Sequence, residues 1–298
     1  MKGLALVVLL SSLLAVESVV AQPAEILIDA PDDLAIAANH LRHWRPERLA
    51  SFQRLIDLPV AGPPIRVILL TEGSIPAASV PPWVAGFAQP DGLVVLFPAR
   101  VPVYPYSSLD ELLGHEVAHV LIARAAGGEM VPRWFNEGLA MLAEEAWDWG
   151  DRSRAALALM RSENYPVANL DRRFAGSASE VSSAYALSAA FVRWLVGHYD
   201  RQMPAEVLGR LALGEPFETA FLEATGDTLE EAEVVFWRRQ AIWTRWLPLL
   251  GNSTTLWVLV TLLALWAIKR RRDRDREIEA VWEMEEQAFR PDPDESIH

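Results

Sequence analysis

The feature that most constrains the fold is the stretch HEVAH, which places two histidines, His115 and His119, four residues apart. Eighteen positions after His119 lies Glu137, within the stretch WFNEGLA (134–140). On a helix, residues four apart lie on the same face about one turn apart. Two imidazoles in that arrangement can reach one tetrahedral metal ion. The spacing therefore predicts a helix that offers two metal ligands on one side.

A tetrahedral site of this kind needs a third protein ligand and keeps one position open for water. Three glutamates in the next helical segment are candidates: Glu137, Glu144 and Glu145. The glycines at 127–128 indicate a turn that lets the two helices fold back as an antiparallel pair. Glu137 is favoured because it lies near the start of that second helix, in a stretch where Gly138 and Ala140 allow close approach between helices.

Glu116 lies beside the first histidine, where its carboxylate can lean over the open position of the metal. There it can take a proton from a metal-activated water, a division of labour that explains why this motif recurs in metallopeptidases. The chain has no cysteine. Disulfides and cysteine nucleophiles are therefore excluded, and any metal must have nitrogen and oxygen ligands.

HEVAH followed by WFNEGLA resembles the gluzincin metallopeptidases, and most of all their peptidase MA-like branch, over roughly residues 60–200. The resemblance implies that zinc is bound by His115, His119 and Glu137. It also implies that Glu116 acts as the general base in peptide-bond hydrolysis.

The same resemblance implies a small sheet before the active-site helix, with an edge strand that pairs with an extended peptide substrate. A strand of the hairpin at 83–88 or 93–98 would have that role here. It further implies a tyrosine-bearing helix downstream, similar to residues 182–195, in which Tyr185 stabilises the oxyanion of the tetrahedral intermediate. The alternative, a core tyrosine with a satisfied hydroxyl, stays open.

One position departs from the pattern of some gluzincins, in which an acidic residue one turn after the third ligand orients a histidine ligand. That position is Met141 here, so either Asn136, Asp110 or a backbone carbonyl orients the ligand instead, or the site binds metal less tightly. His40 and His43 also have helical spacing, but no carboxylate is placed to complete a second metal site with them.

The fold class predicted is α+β, with a small N-terminal β-sheet lobe and a mainly helical C-terminal lobe, as in gluzincins. Short strands are expected at 25–29 and 65–70, and Asp91-Gly92 between two apolar runs predicts the hairpin. Helical patterns cover 32–56 with a break near Pro46, 108–125, 134–147, 151–161, 179–199, 204–213, 216–224 and the residues from 229 onward.

The two ends of the chain carry apolar segments. Residues 1–21 have the layout of a secretory signal peptide. Residues 246–268 contain no charge and are followed at once by the basic cluster Lys269–Arg272, which predicts one C-terminal transmembrane helix with its basic end in the cytoplasm. On this interpretation residues 22–245 form the extracytoplasmic metallopeptidase-like domain and residues 269–298 a charged cytoplasmic tail.

The sequence thus predicts a single-pass membrane protein, a zinc peptidase that acts on peptides or proteins outside the cytoplasm, with a bacterial periplasmic face favoured. The alternatives are a catalytically inactive domain that binds a peptide or protein partner at the membrane surface, and a zinc hydrolase acting on another carbonyl. The net charge of −13 argues against a nucleic-acid partner. A cytoplasmic partner for the tail is the alternative to a solvated extension.

Overall fold

The computed structural model describes the residues 21–101, 105–143, 166–251, 257, 260–272 and 274. Nearly all of the predicted signal peptide (1–21) and the helical pattern at 151–161 lie outside these ranges. The chain divides into two compact units, Met1–Arg238 and Arg239–His298.

The first unit contains a four-stranded sheet before the HEVAH segment. Its strands are β1 (Ile26–Asp29), β2 (Ile65–Leu69), β3 (Gly86–Ala88) and β4 (Leu93–Leu96). Their order across the sheet is β1-β2-β4-β3, with β1, β2 and β4 parallel and β3 antiparallel at the edge beside β4. The described residues after β4 form no further strand, so the predicted α+β class, with its sheet at the N-terminal side, is confirmed.

The predicted hairpin between β3 and β4 is also confirmed. Its turn contains Gly92 with φ 95°, a left-handed conformation that glycine adopts without steric cost. The Asp91 carboxylate accepts a hydrogen bond from the Leu93 amide at 3.2 Å, and the Gln89 amide donates to the Leu93 carbonyl at 2.7 Å. The turn therefore fixes the register that brings β3 to the sheet edge.

The helices follow the predicted patterns closely. They are α1 (Ala35–Leu41), α2 (Ala50–Leu55), α3 (Ile75–Ala78), α4 (Leu109–Ala125), α5 (Arg133–Ala143), α6 (Leu170–Phe174), α7 (Ala178–His198), α8 (Met203–Ala212), α9 (Phe217–Thr225) and α10 (Leu229–Gly251). The pattern at 32–56 is interrupted at Pro46 as expected, where a short 3-10 turn precedes α2. The short helices α3 and α6 have no counterpart in the sequence prediction.

Helix α4, which carries HEVAH, lies at the centre of the first unit. It packs against β3 and β4 on one side and against α5 and α8 on others. Residues Leu112–Leu121 include nine buried positions and only one half-buried position, His119. A helix covered on every side places its polar residues in a low-dielectric environment, where they must interact with one another or with a ligand.

In the second unit, residues 260–272 are helical and exposed, and the Arg270 guanidinium lies 5.3 Å from the centre of the Trp266 ring. Among the described residues, no helix combines the length and apolar character needed to span a bilayer, so the predicted transmembrane helix at 246–268 is not found there. Residues 252–256, 258 and 259 of that segment lie outside the described ranges.

Candidate metal centre

Helix α4 begins at a side-chain cap that sets the register of the two histidines. The Ser108 hydroxyl accepts a hydrogen bond from the Glu111 amide at 3.2 Å, which is one of the two hydrogen bonds of a capping box. The Glu111 carboxylate reaches back to the amide of Ser107, at 2.7 Å, rather than to that of Ser108. A capped start and seventeen helical residues place His115 and His119 on one face, as predicted.

Helix α5 returns antiparallel to α4 after the turn at Gly127 and Gly128, both of which have positive φ. It brings Glu137 to the two histidines, and the three side chains form one cluster. The Nε2 atoms of His115 and His119 are 3.0 Å apart, and the Glu137 Oε2 atom lies 3.3 and 3.4 Å from them. The predicted trio thus lies together, whereas its rivals Glu144 and Glu145 fall outside the described residues.

These distances fit a metal site. A tetrahedral ion with ligands at ~2.0–2.1 Å would hold those ligands about 3.4 Å from one another. Two imidazole nitrogens and one carboxylate oxygen form a donor set that zinc accepts. His115 is fully buried, and its Nε2 atom faces a second imidazole nitrogen, an arrangement that needs a proton or a cation between the two rings.

The charges of the three residues are strongly perturbed. Burial and the neighbouring His119 lower the pKa of His115 to about 4, so its imidazole is neutral near pH 7. Burial alone would lower the pKa of His119, but the Glu137 carboxylate outweighs that effect and raises it to about 9. Burial raises the pKa of Glu137, yet the two imidazoles reverse the direction and hold it well below its usual value. Without metal, the cluster is therefore an ion pair beside a neutral imidazole.

Glu116, the predicted general base, is buried beside the cluster. It is 3% exposed, and its carboxylate lies under β3, where a Cβ atom added at Gly86 would be 3.1 Å from the Glu116 Oε1 atom. Burial is the main cause that raises the pKa of Glu116 to about 7, with the Glu137 charge adding to it and His119 opposing it. A carboxyl group with a pKa near neutrality can both accept and return a proton.

Asn136 is the residue that orients one of the two histidines, His119. The Asn136 Oδ1 atom lies 2.8 Å from His119 Nδ1, so an Nδ1–H that donates to this amide oxygen leaves Nε2 free to bind a metal. Asp110 does not contribute, because its carboxylate lies 3.0 Å from His40 Nε2 at the surface. Met141 is a buried apolar residue, and His43 interacts with a backbone carbonyl of α1.

Tyr185 lies at the same site. Its ring centre is 6.4 Å from that of His115, and its hydroxyl forms a hydrogen bond with Tyr106. Burial, followed by the nearby carboxylates of Glu137 and Glu116, holds the pKa of Tyr185 well above its usual value. The phenol therefore keeps its proton and is available as a hydrogen-bond donor.

A cavity of about 680 Å³ opens over these residues, within the ~300–1,000 Å³ that is usual for ligand sites. Glu116, His119, Glu137 and Tyr185 lie in one part of its lining. The remaining wall comes from Ala123 of α4, from Arg133 and Asn136 of α5, and from three segments that are distant in the sequence: 81–90, which contains β3; 105–106; and 174–182. The cavity is thus a cleft between the edge of the sheet and the helical part of the unit.

Two cavity residues, Tyr106 and Arg133, were missed by the sequence reasoning. Tyr106 packs its ring 5.0 Å from that of His115, and no local pattern indicated it. Arg133 lies one turn before Glu137, and its Nε atom is 3.6 Å from Glu137 Oε1. The four-residue spacing of Arg133 and Glu137 on a predicted helix was the pattern in the sequence that could have indicated this contact.

Comparison with known proteins agrees with this geometry. No match was found among curated proteins, and none among solved structures. The family model of the Peptidase MA superfamily matches residues 81–241, a little over half of the chain, from the edge strand through α4, α5 and α7. The matched range contains the His115, His119 and Glu137 cluster together with Glu116. The chain therefore belongs to the Peptidase MA superfamily.

Proposed function

We propose that this protein is a zinc-dependent peptidase in which His115, His119 and Glu137 bind the metal. The observation that carries the proposal is the convergence of their three ligand atoms within 3.4 Å of one another, beside a buried carboxylate and a substrate-sized cavity. A zinc ion held there would polarise the scissile carbonyl and make a water molecule more acidic.

The residues around the cluster supply the remaining steps. Glu116 takes the proton from the attacking water and passes it to the leaving amine, which a pKa near 7 permits. Tyr185, held protonated, donates a hydrogen bond to the oxyanion that develops on the carbonyl oxygen. In the described part of the chain β3 pairs only with β4, so its other edge can pair with an extended peptide.

Gly86 explains how such a peptide comes close to the base. A side chain at this position in β3 would lie 2.9 Å from Leu96 Cδ2 as well as close to Glu116. Glycine therefore lets the edge strand approach the Glu116 carboxylate closely. A substrate that continues the sheet beyond β3 would have its backbone beside both the base and the metal ligands.

Membrane attachment and an extracytoplasmic location are part of the proposal. The uncharged run at 246–268, the basic cluster Lys269–Arg272 and the exposed apolar residues Leu262, Leu263 and Trp266 support it. Membrane fractionation, and protease accessibility of the full chain in spheroplasts, would test it. Recovery in the soluble fraction, or protection of the cavity-bearing unit from protease added to spheroplasts, would contradict it.

The Glu116→Gln variant tests the mechanism. We expect zinc content equal to that of wild type and a loss of peptide hydrolysis of several orders of magnitude, measured with a mixed peptide library. Retained hydrolysis in this variant would contradict the assigned role of Glu116. If the wild-type protein binds peptides but does not hydrolyse them, the result would instead favour a domain that binds peptides without cutting them.

A further inference from the structure

Arg133 is the one charged residue in the described lining of the cavity that does not belong to the metal centre or to its base. It is the first residue of α5 and its side chain is 49% exposed. The guanidinium carbon lies 4.5 Å from the centre of the Phe174 ring, so one face of the group rests on an aromatic surface. This cation–π contact fixes the guanidinium toward the cavity.

An ion pair with Glu137 does not explain why the Arg133 guanidinium lies toward the cavity. The closest approach of the two groups, Nε to Oε1 at 3.6 Å, is too long for a hydrogen bond. No described residue accepts a hydrogen bond from either terminal nitrogen of Arg133. A planar guanidinium with both terminal nitrogens available binds a carboxylate through two parallel hydrogen bonds.

We propose that Arg133 binds a carboxylate of the substrate and so determines the specificity of the peptidase. The inference rests on the proposed function and adds to it a class of substrate: peptides that carry a carboxylate close to the bond to be cut. Either the C-terminal carboxylate or the side chain of an aspartate or glutamate meets this requirement.

The position of Arg133 limits how far that carboxylate lies from the reacting bond. Glu137 separates the guanidinium from the metal ligand atoms, since one carboxylate oxygen faces Arg133 and the other faces the histidines. The path from the guanidinium to the histidine nitrogens includes the 3.6 Å between Arg133 Nε and Glu137 Oε1 and the 3.3 Å between Glu137 Oε2 and His115 Nε2. Because each residue of an extended peptide spans roughly 3.3–3.6 Å, the carboxylate is expected within about two residues of the scissile bond.

The test compares matched peptides cleaved by the full-length, zinc-loaded protein. One arm uses peptides with a free C-terminus against the same peptides with a C-terminal amide. The other arm uses amidated peptides with glutamate against glutamine at each internal position. Wild type is expected to favour the carboxylate form about ten- to hundred-fold in kcat/KM in one of the two arms, the usual effect of a charge-assisted hydrogen bond.

Three variants separate recognition of the carboxylate from other effects. Arg133→Gln is expected to reduce the ratio of kcat/KM between the carboxylate and the neutral peptides to within about threefold, and this ratio, not the absolute rate on either peptide, is the measured quantity. Arg66→Gln removes the same charge at an exposed position on β2 outside the cavity and is expected to keep the wild-type preference. Arg133→Lys keeps the charge without the planar fork and is expected to show an intermediate preference.

Binding gives a second measurement. In the Glu116→Gln background, Arg133→Gln is expected to weaken the affinity for the preferred carboxylate peptide about tenfold or more, measured by calorimetry, with its neutral partner unaffected. Equal cleavage of both forms by wild type, or equal loss on both forms in Arg133→Gln, would overturn the inference and leave the peptidase function standing. No cleavage of any peptide by wild type would overturn the peptidase function, and this inference with it.

Discussion

Replacing Gly138 by alanine should destabilise the protein even though alanine is the better helix former. Gly138 follows Glu137 on α5 and faces α7. A Cβ atom at this position would be 2.7 Å from the Ser188 carbonyl oxygen and 2.9 Å from Val192 Cβ. Carbon–carbon contacts are normally about 3.5–4.0 Å, so α5 and α7 would have to separate by about 1 Å.

Two opposing effects decide whether Gly138→Ala raises or lowers the free energy of unfolding. Alanine is more favourable than glycine in a helix interior by ~1 kcal/mol. Overpacking a tight contact costs ~1–3 kcal/mol, and the upper end applies because the neighbours are a backbone carbonyl and a stiff β-branched side chain. The net expected change is a loss of about 2 kcal/mol in the free energy of unfolding. Since Glu137 is the adjacent residue, zinc affinity should fall as well.

Denaturant unfolding of the full chain, with and without zinc, measures this change. Gly209→Ala is the matched control, because Gly209 lies in α8 with no atom within 4 Å of an added Cβ. It should stabilise the protein by up to ~1 kcal/mol through helix propensity alone. If Gly138→Ala is as stable as Gly209→Ala and binds zinc as tightly as wild type, the close packing of α5 on α7 does not determine the site.

Three further outcomes are expected. Asn136→Ala, which removes the hydrogen-bond acceptor of His119 Nδ1, should weaken zinc binding about 10–100-fold without unfolding the chain, measured by competition with a chelator. Because the pKa of His119 is raised to about 9 in the metal-free site, a proton must leave before zinc binds. Affinity should then rise with pH, about tenfold per unit between pH 7 and 9, and calorimetry in buffers of different ionisation enthalpy should detect about one proton released. Gly86→Ala should displace the Glu116 carboxylate and lower kcat about tenfold at unchanged zinc content.

Local patterns in the sequence predicted that His115, His119 and Glu137 lie together, as they do in the structure. The spacing of His115 and His119, the Ser108 cap and the Gly127-Gly128 turn all act within one or two helical turns. Each therefore has a pattern that can be read without knowledge of the tertiary structure. The hairpin was predictable for the same reason, since Asp91-Gly92 defines its own turn.

The remaining features depend on contacts between distant segments. Nothing local indicates that β1, β2 and β4 pair in parallel, because parallel strands are joined through long connections. The contact of Tyr106 with Tyr185 and that of Arg133 with Phe174 likewise join residues that are far apart in the chain. The sequence left three candidates for the group that orients the histidine ligand, and Asn136 was one of them. Only the rotation of α5 against α4 decides which group faces His119.

The zinc content of the purified full-length protein, measured by elemental analysis beside the variant Glu137→Ala, tests most directly whether His115, His119 and Glu137 bind the metal. Glu129→Ala, a change in the loop before α5, is the matched control. We expect about one zinc per chain in wild type and in Glu129→Ala, and loss or strong weakening of zinc binding in Glu137→Ala. A folded wild-type protein that binds no zinc when zinc is supplied, or a Glu137→Ala variant with wild-type affinity, would contradict this assignment.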